Sequence, residues 1–242
     1  MKRLLLALSA LAFGISPAFA DDGLTANVSL VTKYKYRGQD QSDTTKQAVP
    51  AIQGGFDYTL GGFYLGNWNS SIGFANGTEM DFYGGYKGEI AKDLGYDVGL
   101  LQYYYPGSGS SAANTTELYG GISWSFLSAK YYHVVSKDYF GLGDATGTDV
   151  KGRNTGYLDL SANYPIVEGL TLNAHVGFTR LNGDLKDANP GVYVNYTDYK
   201  LGATYDLGKG LSVAGAVVGA TKKDAWGDAN KARLIVSLSK AM

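Results

Sequence analysis

The sequence has no cysteine, two histidines and five prolines among its 242 residues. Without cysteine there is no disulfide framework, no thiolate metal site and no thiol nucleophile. His133 and His175 are too few for a histidine-rich metal centre, and Gly107-Ser108-Gly109-Ser110-Ser111 does not complete a Gly-x-Ser-x-Gly nucleophile motif. Neither an enzyme nor a bound cofactor is expected. Twenty-one basic residues balance 22 acidic ones with no clustered basic face, which argues against nucleic acid as a partner. Beyond the leader, no apolar run approaches the roughly eighteen to twenty residues of a transmembrane helix.

The leader itself is clear. Lys2 and Arg3 precede an apolar run from Leu4 to Ile15, and Ala18-Phe19-Ala20 stands before Asp21-Asp22. This is the layout of a secretory signal peptide over residues 1–20, cleaved after Ala20 and leaving 21–242 as one exported unit. An exported chain with no apolar helix is either soluble or a β-barrel of an outer membrane.

What is abundant decides between them: 20 tyrosines and 34 glycines, as in many strands flanked by aromatic girdles. From Leu24 to Arg37 the chain alternates. Leu24, Ala26, Val28, Leu30, Tyr34 and Tyr36 share one parity, and Asn27, Ser29, Lys33, Lys35 and Arg37 the other. Such alternation gives a strand one apolar and one polar face. This one is longer than the about five or six residues of a soluble strand and fits a membrane crossing.

Eleven more segments follow, at 48–60, 63–72, 78–90, 94–105, 116–126, 129–136, 156–164, 169–181, 193–206, 211–221 and 231–242. Their connections alternate long and short, as extracellular loops and periplasmic turns do. The expected fold is all-β: a transmembrane antiparallel up-and-down β-barrel of about 12 strands, or 10 or 14 if boundaries shift by about two to four residues. Lys231 to Met242 should close the sheet on the first strand, with both chain ends in the periplasm.

If the apolar parity faces lipid, the lumen receives Lys33, Lys35, Arg37, Asp57, Glu79, Asp81, Lys87, Glu89, Asp97, Glu117, Lys130, Asp159, His175, Asp198, Lys200, Asp206 and Arg233. A charge facing lipid at the midplane costs up to about 2–4 kcal/mol, so segregation of this kind is what a barrel wall requires. The pore-lining set expected to matter is Lys33, Lys35, Arg37, Asp57, Glu79, Asp81, Lys87, Glu117, Lys130, Asp198, Lys200 and Arg233. These charges of mixed sign either line an open path or pair and hold a narrow barrel shut. Lys33, Lys35 and Arg37, at the outer end of their strand, either attract anionic groups such as lipopolysaccharide phosphates or pair as a solvated strand end with Asp40 and Asp43.

Several segments in order resemble the TorF-type porin family of Gram-negative outer membranes: Ser29 to Asp43, Gln53 to Tyr58, Gly62 to Trp68, Asp81 to Gly88, Tyr103 to Gly107, Ala174 to Thr179 and Ala232 to Met242. The resemblance covers nearly the whole exported chain. It implies an outer-membrane barrel and passive channel activity, with no catalytic residues to transfer. Such barrels usually end in an aromatic residue read by the insertion machinery, whereas this chain ends in Met242. The expected partners are outer-membrane lipid and lipopolysaccharide, the barrel-insertion machinery and small hydrophilic solutes. The alternative function is a closed barrel that acts structurally or through adhesive extracellular loops.

Overall fold

The computed structural model describes residues 22–147 and 149–242; the signal peptide expected over residues 1–20 lies outside them. The strands are β1 (Gly23–Val31), β2 (Lys35–Tyr36), β3 (Gln39–Asp40), β4 (Ala51–Leu60), β5 (Phe63–Ser71), β6 (Thr78–Ala91) and β7 (Leu94–Tyr104). Then come β8 (Thr115–Trp124), β9 (Leu127–Val134), β10 (Gly156–Val167), β11 (Leu170–Arg180), β12 (Tyr196–Gly208), β13 (Leu211–Ala220) and β14 (Arg233–Ala241). Three short helices, α1 (Leu142–Ala145), α2 (Gly183–Ala188) and α3 (Lys223–Trp226), sit in long loops.

Among the described residues, twelve strands, β1 and β4 to β14, form one closed barrel, and β2 and β3 form a separate small sheet. Closure is made where the sequence places it. β1 pairs with β14 from Asn27↔Ala241 to Val31↔Ser237, and with β4 from Gly23↔Thr59 to Val31↔Ala51. The Met242 N–H donates to the Ala26 carbonyl at 2.8 Å and Ala26 N–H donates back at 3.0 Å. The sheet thus satisfies its own backbone, the condition for crossing a bilayer. The periplasmic connections are tight: Gly61 and Gly62 have φ of 55° and 92°, positive at both turn positions as a type I′ hairpin needs.

Parity sorts the two faces. On β14, Leu234, Val236 and Leu238 point outward, 60%, 42% and 48% exposed, while Arg233, Ile235, Ser237 and Ser239 are buried inside. Outward rings gather towards the periplasmic turns, where Phe63 meets Tyr86 at 4.7 Å and Phe126 meets Tyr164 at 5.2 Å between centroids. They form the girdle that such a barrel places at the lipid–water boundary. On β5, whose register the sequence leaves open, Phe63 and Leu65 face out and Trp68 and Ser70 face in.

Several boundaries differ from expectation: β10 runs on to Val167, β12 begins at Tyr196, and two further shifts stand out. The turn near 127–128 falls at 125–126, with Ser125 at φ 56°, and β9 begins at Leu127. More consequentially, β1 ends at Val31 instead of Arg37. Its neighbour β4 starts only at Ala51, so the ladder on that side ends with the Val31↔Ala51 pair. Beyond Val31 the facing backbone contributes the Val49 N–H, which reaches the Thr32 carbonyl at 3.0 Å, and a bridge between Lys33 and Val49. The chain then leaves the wall and turns into the barrel.

Leu201 is 60% exposed at mid-wall on β12, in register with Ala174 and Val217. Leu201→Arg is expected to destabilise the refolded barrel in a bilayer by about 2–4 kcal/mol, measured by denaturant titration. Ser212→Arg, on the lumen face beside Ser239, should change stability by under about half of that.

Candidate functional site

The inward segment is a β-hairpin. β2 and β3 pair through Lys35↔Asp40 and Tyr36↔Gln39, and Arg37 and Gly38 form the turn with φ of 45° and 76°. A non-glycine residue in that region is uncommon. Here its side chain is fixed at the far end: the Arg37 guanidinium donates to both oxygens of Glu117 on β8, at 2.9 and 2.7 Å, the planar fork that matches a carboxylate. The same guanidinium lies 4.0 Å from the Tyr157 ring centroid and 5.3 Å from that of Tyr132. Gly38 has no room for a side chain, since an added Cβ would stand 2.5 Å from the Asp198 Cβ and 2.9 Å from the Ala220 Cβ. The hairpin that leaves the wall at β1 therefore reaches β8 to β13 across the lumen.

Asp40 gathers the remaining cations. Lys35 Nζ lies 2.7 Å and Lys33 Nζ 3.2 Å from its carboxylate, and Arg233 Nε of β14 lies 3.4 Å away. Lys33 also donates to the carbonyls of Asp43 and Lys46, and Lys35 to those of Gly38 and Ala229. The side chains of Lys33, Lys35 and Asp40 are 0% exposed. Lys33 and Lys35 thus pair with Asp40 as the sequence suggests, buried rather than solvated, whereas Arg37 goes to Glu117 on β8 and the Asp43 carboxylate to Lys46.

Most of the other expected lumen residues lie on the inner face. Asp97 pairs with Lys130 at 2.8 Å and accepts from Tyr64 at 2.5 Å. Asp57 accepts from Tyr83 at 2.6 Å, and Glu79 from Tyr105 at 2.9 Å. Asp81 is 1% exposed, in register with Trp68. The Lys87 ammonium is 5.8 Å from the Tyr64 ring centroid. A cavity of about 110 Å³ remains beside the hairpin, lined by Asp159, His175, Asp198 and Lys200 among others; that is space for a few waters at about 30 Å³ each. Glu89 and Asp206 instead serve the periplasmic turns, accepting from the Asp93 and Gly208 N–H groups.

Two features are missed by reading charges alone. The first is the number of rings inside: Tyr103, Tyr119, Tyr132 and Tyr157 form a buried inner cluster on adjacent strands, with Tyr119–Tyr132 centroids 5.6 Å and Tyr132–Tyr157 centroids 6.1 Å apart. Tyr36 joins it edge-on to Tyr103, and Phe140 of the 135–155 loop packs on both. The parity of Tyr119 with Glu117 and Ser123 carries the signal for one of them. Tyr34 packs on Trp68 at 5.5 Å, so Tyr34 and Tyr36, on the apolar parity of the opening stretch, are lumen residues.

The second is a Ser–His–Asp grouping. Ser161 Oγ is 3.2 Å from His175 Nδ1, and His175 Nε2 is 2.7 Å from Asp198 Oδ1. It does not form a nucleophile relay, because Ser161 donates to Asp159 at 2.6 Å and that same carboxylate lies 3.2 Å from His175 Nδ1. Each imidazole nitrogen faces a carboxylate, Asp159 at Nδ1 and Asp198 at Nε2, and the serine hydroxyl is directed to Asp159 instead of to the ring. The arrangement is a charge cluster of the lumen.

The family model described as "Bacterial protein of unknown function (Gcw_chp)" matches residues 17–241. The chain belongs to the Gcw_chp family. No curated protein matches the sequence. Among solved structures, this Gcw_chp chain is similar to the KdgM porin, with a TM-score of 0.56 at 9% identity over 89% of this chain and 98% of that one. It is also similar to the NanC porin, with a TM-score of 0.56 at 11% identity over 89% and 98%. A third is the KdgM porin in complex with disordered oligogalacturonate, with a TM-score of 0.57 at 9% identity. The Gcw_chp chain therefore has the barrel fold of outer-membrane porins.

Removing the Glu117 carboxylate leaves the Arg37 charge buried without its partner, which costs about 3–5 kcal/mol. Glu117→Gln should therefore loosen the hairpin, and trypsin should cut the refolded variant at Lys35 at least about tenfold faster. The paired Arg37→Met and Glu117→Met variant should regain most of the protection, because apolar replacement of both partners of a buried ion pair is near neutral.

Proposed function

We propose that this chain is an outer-membrane channel through which small hydrophilic solutes diffuse passively. The observation that carries the reading is the sorting of the wall, apolar outside and charged or hydroxylated inside on strand after strand, around a closed barrel. A barrel that only anchors loops has no need of an inner face holding Asp57, Asp97, Lys130, Asp159, His175 and Lys200. Twelve strands stand between eight-stranded barrels, filled by side chains, and sixteen-stranded ones with an aqueous channel. The TorF-type resemblance points the same way.

In this reading Lys33, Lys35, Arg37, Glu79, Asp81, Glu117, Asp198 and Arg233 form the narrow outer third, and Asp57, Lys87, Lys130 and Lys200 line the path towards the periplasm. One solved neighbour holds oligogalacturonate, an anionic sugar chain. Here the cations of the outer third are matched to Asp40 and Glu117, so the lumen suits small neutral or zwitterionic solutes better than a polyanion. Outer-membrane lipid and lipopolysaccharide meet the apolar exterior, and the insertion machinery reads the last strand, β14. No cofactor or catalytic step enters this reading.

A second reading has one observation in its favour: the hairpin and the 135–155 loop fill the outer third of the lumen, as in a closed barrel acting structurally or by loop-mediated adhesion. Planar-bilayer recording separates the two. The refolded chain is expected to conduct, and a variant with residues 34–41 replaced by two glycines to conduct several-fold more. Silence from both, with intact barrels by heat-modifiable migration, leaves the closed-barrel reading in its place.

A further inference from the structure

We propose that the β2–β3 hairpin is a tethered gate, seated in the lumen by the Arg37–Glu117 latch and able to swing out of it. The inference deepens the channel reading and rests on it.

The hairpin is built as a separate body. It is a two-stranded sheet outside the barrel ladder, and the Gln41 N–H closes it on the Tyr34 carbonyl at 3.0 Å. Residues 35–40 reach the wall and the outer loops through side chains: Arg37 to Glu117, Tyr36 to Tyr103, Lys35 to Ala229 and Gln39 to Asn230. All four are polar contacts that water can replace once the hairpin leaves.

Its charges are partitioned for movement. Lys35 pairs with Asp40 within the hairpin, so those partners travel together, while Lys33, bridged to Val49, meets Asp40 from the base of the hairpin. Two ion pairs cross to the wall, Arg37–Glu117 and Asp40–Arg233. A buried ion pair gives up about as much solvation as it gains in attraction, so releasing these two into a water-filled vestibule costs little, and the packing of Tyr36 on Tyr103 and Phe140 biases the hairpin towards its seat. The tether to the start of β4 runs along the rim with residues 43 and 45–48 exposed, held there by Lys33 on the carbonyls of Asp43 and Lys46 and by Arg233 on that of Thr44, so the hairpin pivots on a fixed base. The seated state leaves a cavity of about 110 Å³ beside the hairpin, whereas the displaced state opens the lumen onto the faces of Tyr103, Tyr132 and Tyr157.

The natural absence of cysteine permits a clean test. Gln39→Cys with Asn230→Cys replaces two side chains that meet at 2.9 Å between the hairpin and the outer loops, and a short reducible bis-methanethiosulfonate bridge between the two thiols makes the oxidised pair. In planar bilayers the wild type is expected to switch between a low and a high conductance level, the high one matching the variant lacking residues 34–41. The oxidised cysteine pair should hold the low level, and reduction should restore switching, raising the time in the high level at least tenfold. Glu117→Gln, which needs no new bond, should raise that time tenfold with the same amplitude. A single unswitching level in the wild type, beside a conducting deletion, makes the hairpin a fixed constriction and overturns the gate alone. Switching that persists in the oxidised pair also overturns it. Silence from every variant overturns the channel reading and the gate with it.

Discussion

A backbone that crosses a bilayer must satisfy every N–H and C=O within the protein, and the whole architecture depends on that constraint. Twelve antiparallel strands meet it by closing on themselves, through the β1–β14 seam and the exchange between Ala26 and Met242. Once the sheet is closed, the two-residue period leaves each side chain one of two destinations. Leu234 and Val236 go to lipid, and Arg233 and Ile235 go to the lumen. Charge has nowhere to go but inward.

Sending so many charged groups into a barrel of this width creates the second constraint. A lumen partly closed to water penalises unpaired charge, and the chain answers with a set of matched groups. Asp40 takes Lys33, Lys35 and Arg233; Glu117 takes Arg37; Asp97 takes Lys130; Asp159 and Asp198 flank His175. Tyrosine hydroxyls complete the pattern, donating to Asp57, Glu79 and Asp97. The hairpin belongs to this solution, because it carries the cations and one carboxylate into the space that the wall leaves open. Its seating on Glu117 joins the electrostatics of the lumen to the question of passage.

Much of this is legible in the sequence, because the parity rule is a property of the backbone. The strand number, the loop asymmetry, the closing pair and the inward set from Asp57 to Arg233 all follow from it. The fate of the opening stretch does not. Lys33, Lys35 and Arg37 keep their alternation past Val31, yet the strand they would extend has lost its partner where β4 begins at Ala51, and alternation is silent about partners. The hairpin turn at Arg37-Gly38 has weak local chemistry, with arginine where asparagine or aspartate is usual, and becomes favourable only through Glu117, eighty positions later in the chain. The tyrosines are ambiguous for a related reason. A ring with a hydroxyl suits the lipid boundary and the lumen equally, and the carboxylate opposite it decides.

The inward hairpin is the claim on which the account of this lumen turns, and single-cysteine labelling in intact outer membranes tests it directly. Lys35→Cys and Thr45→Cys are introduced separately into a chain that has no other thiol, and each is exposed to a membrane-impermeant maleimide from outside. Thr45 is exposed at the rim and Lys35 is buried in the lumen, so Thr45→Cys should react at least tenfold faster. Equal rates would mean that the segment stands at the rim as an extended strand end, and would contradict the account.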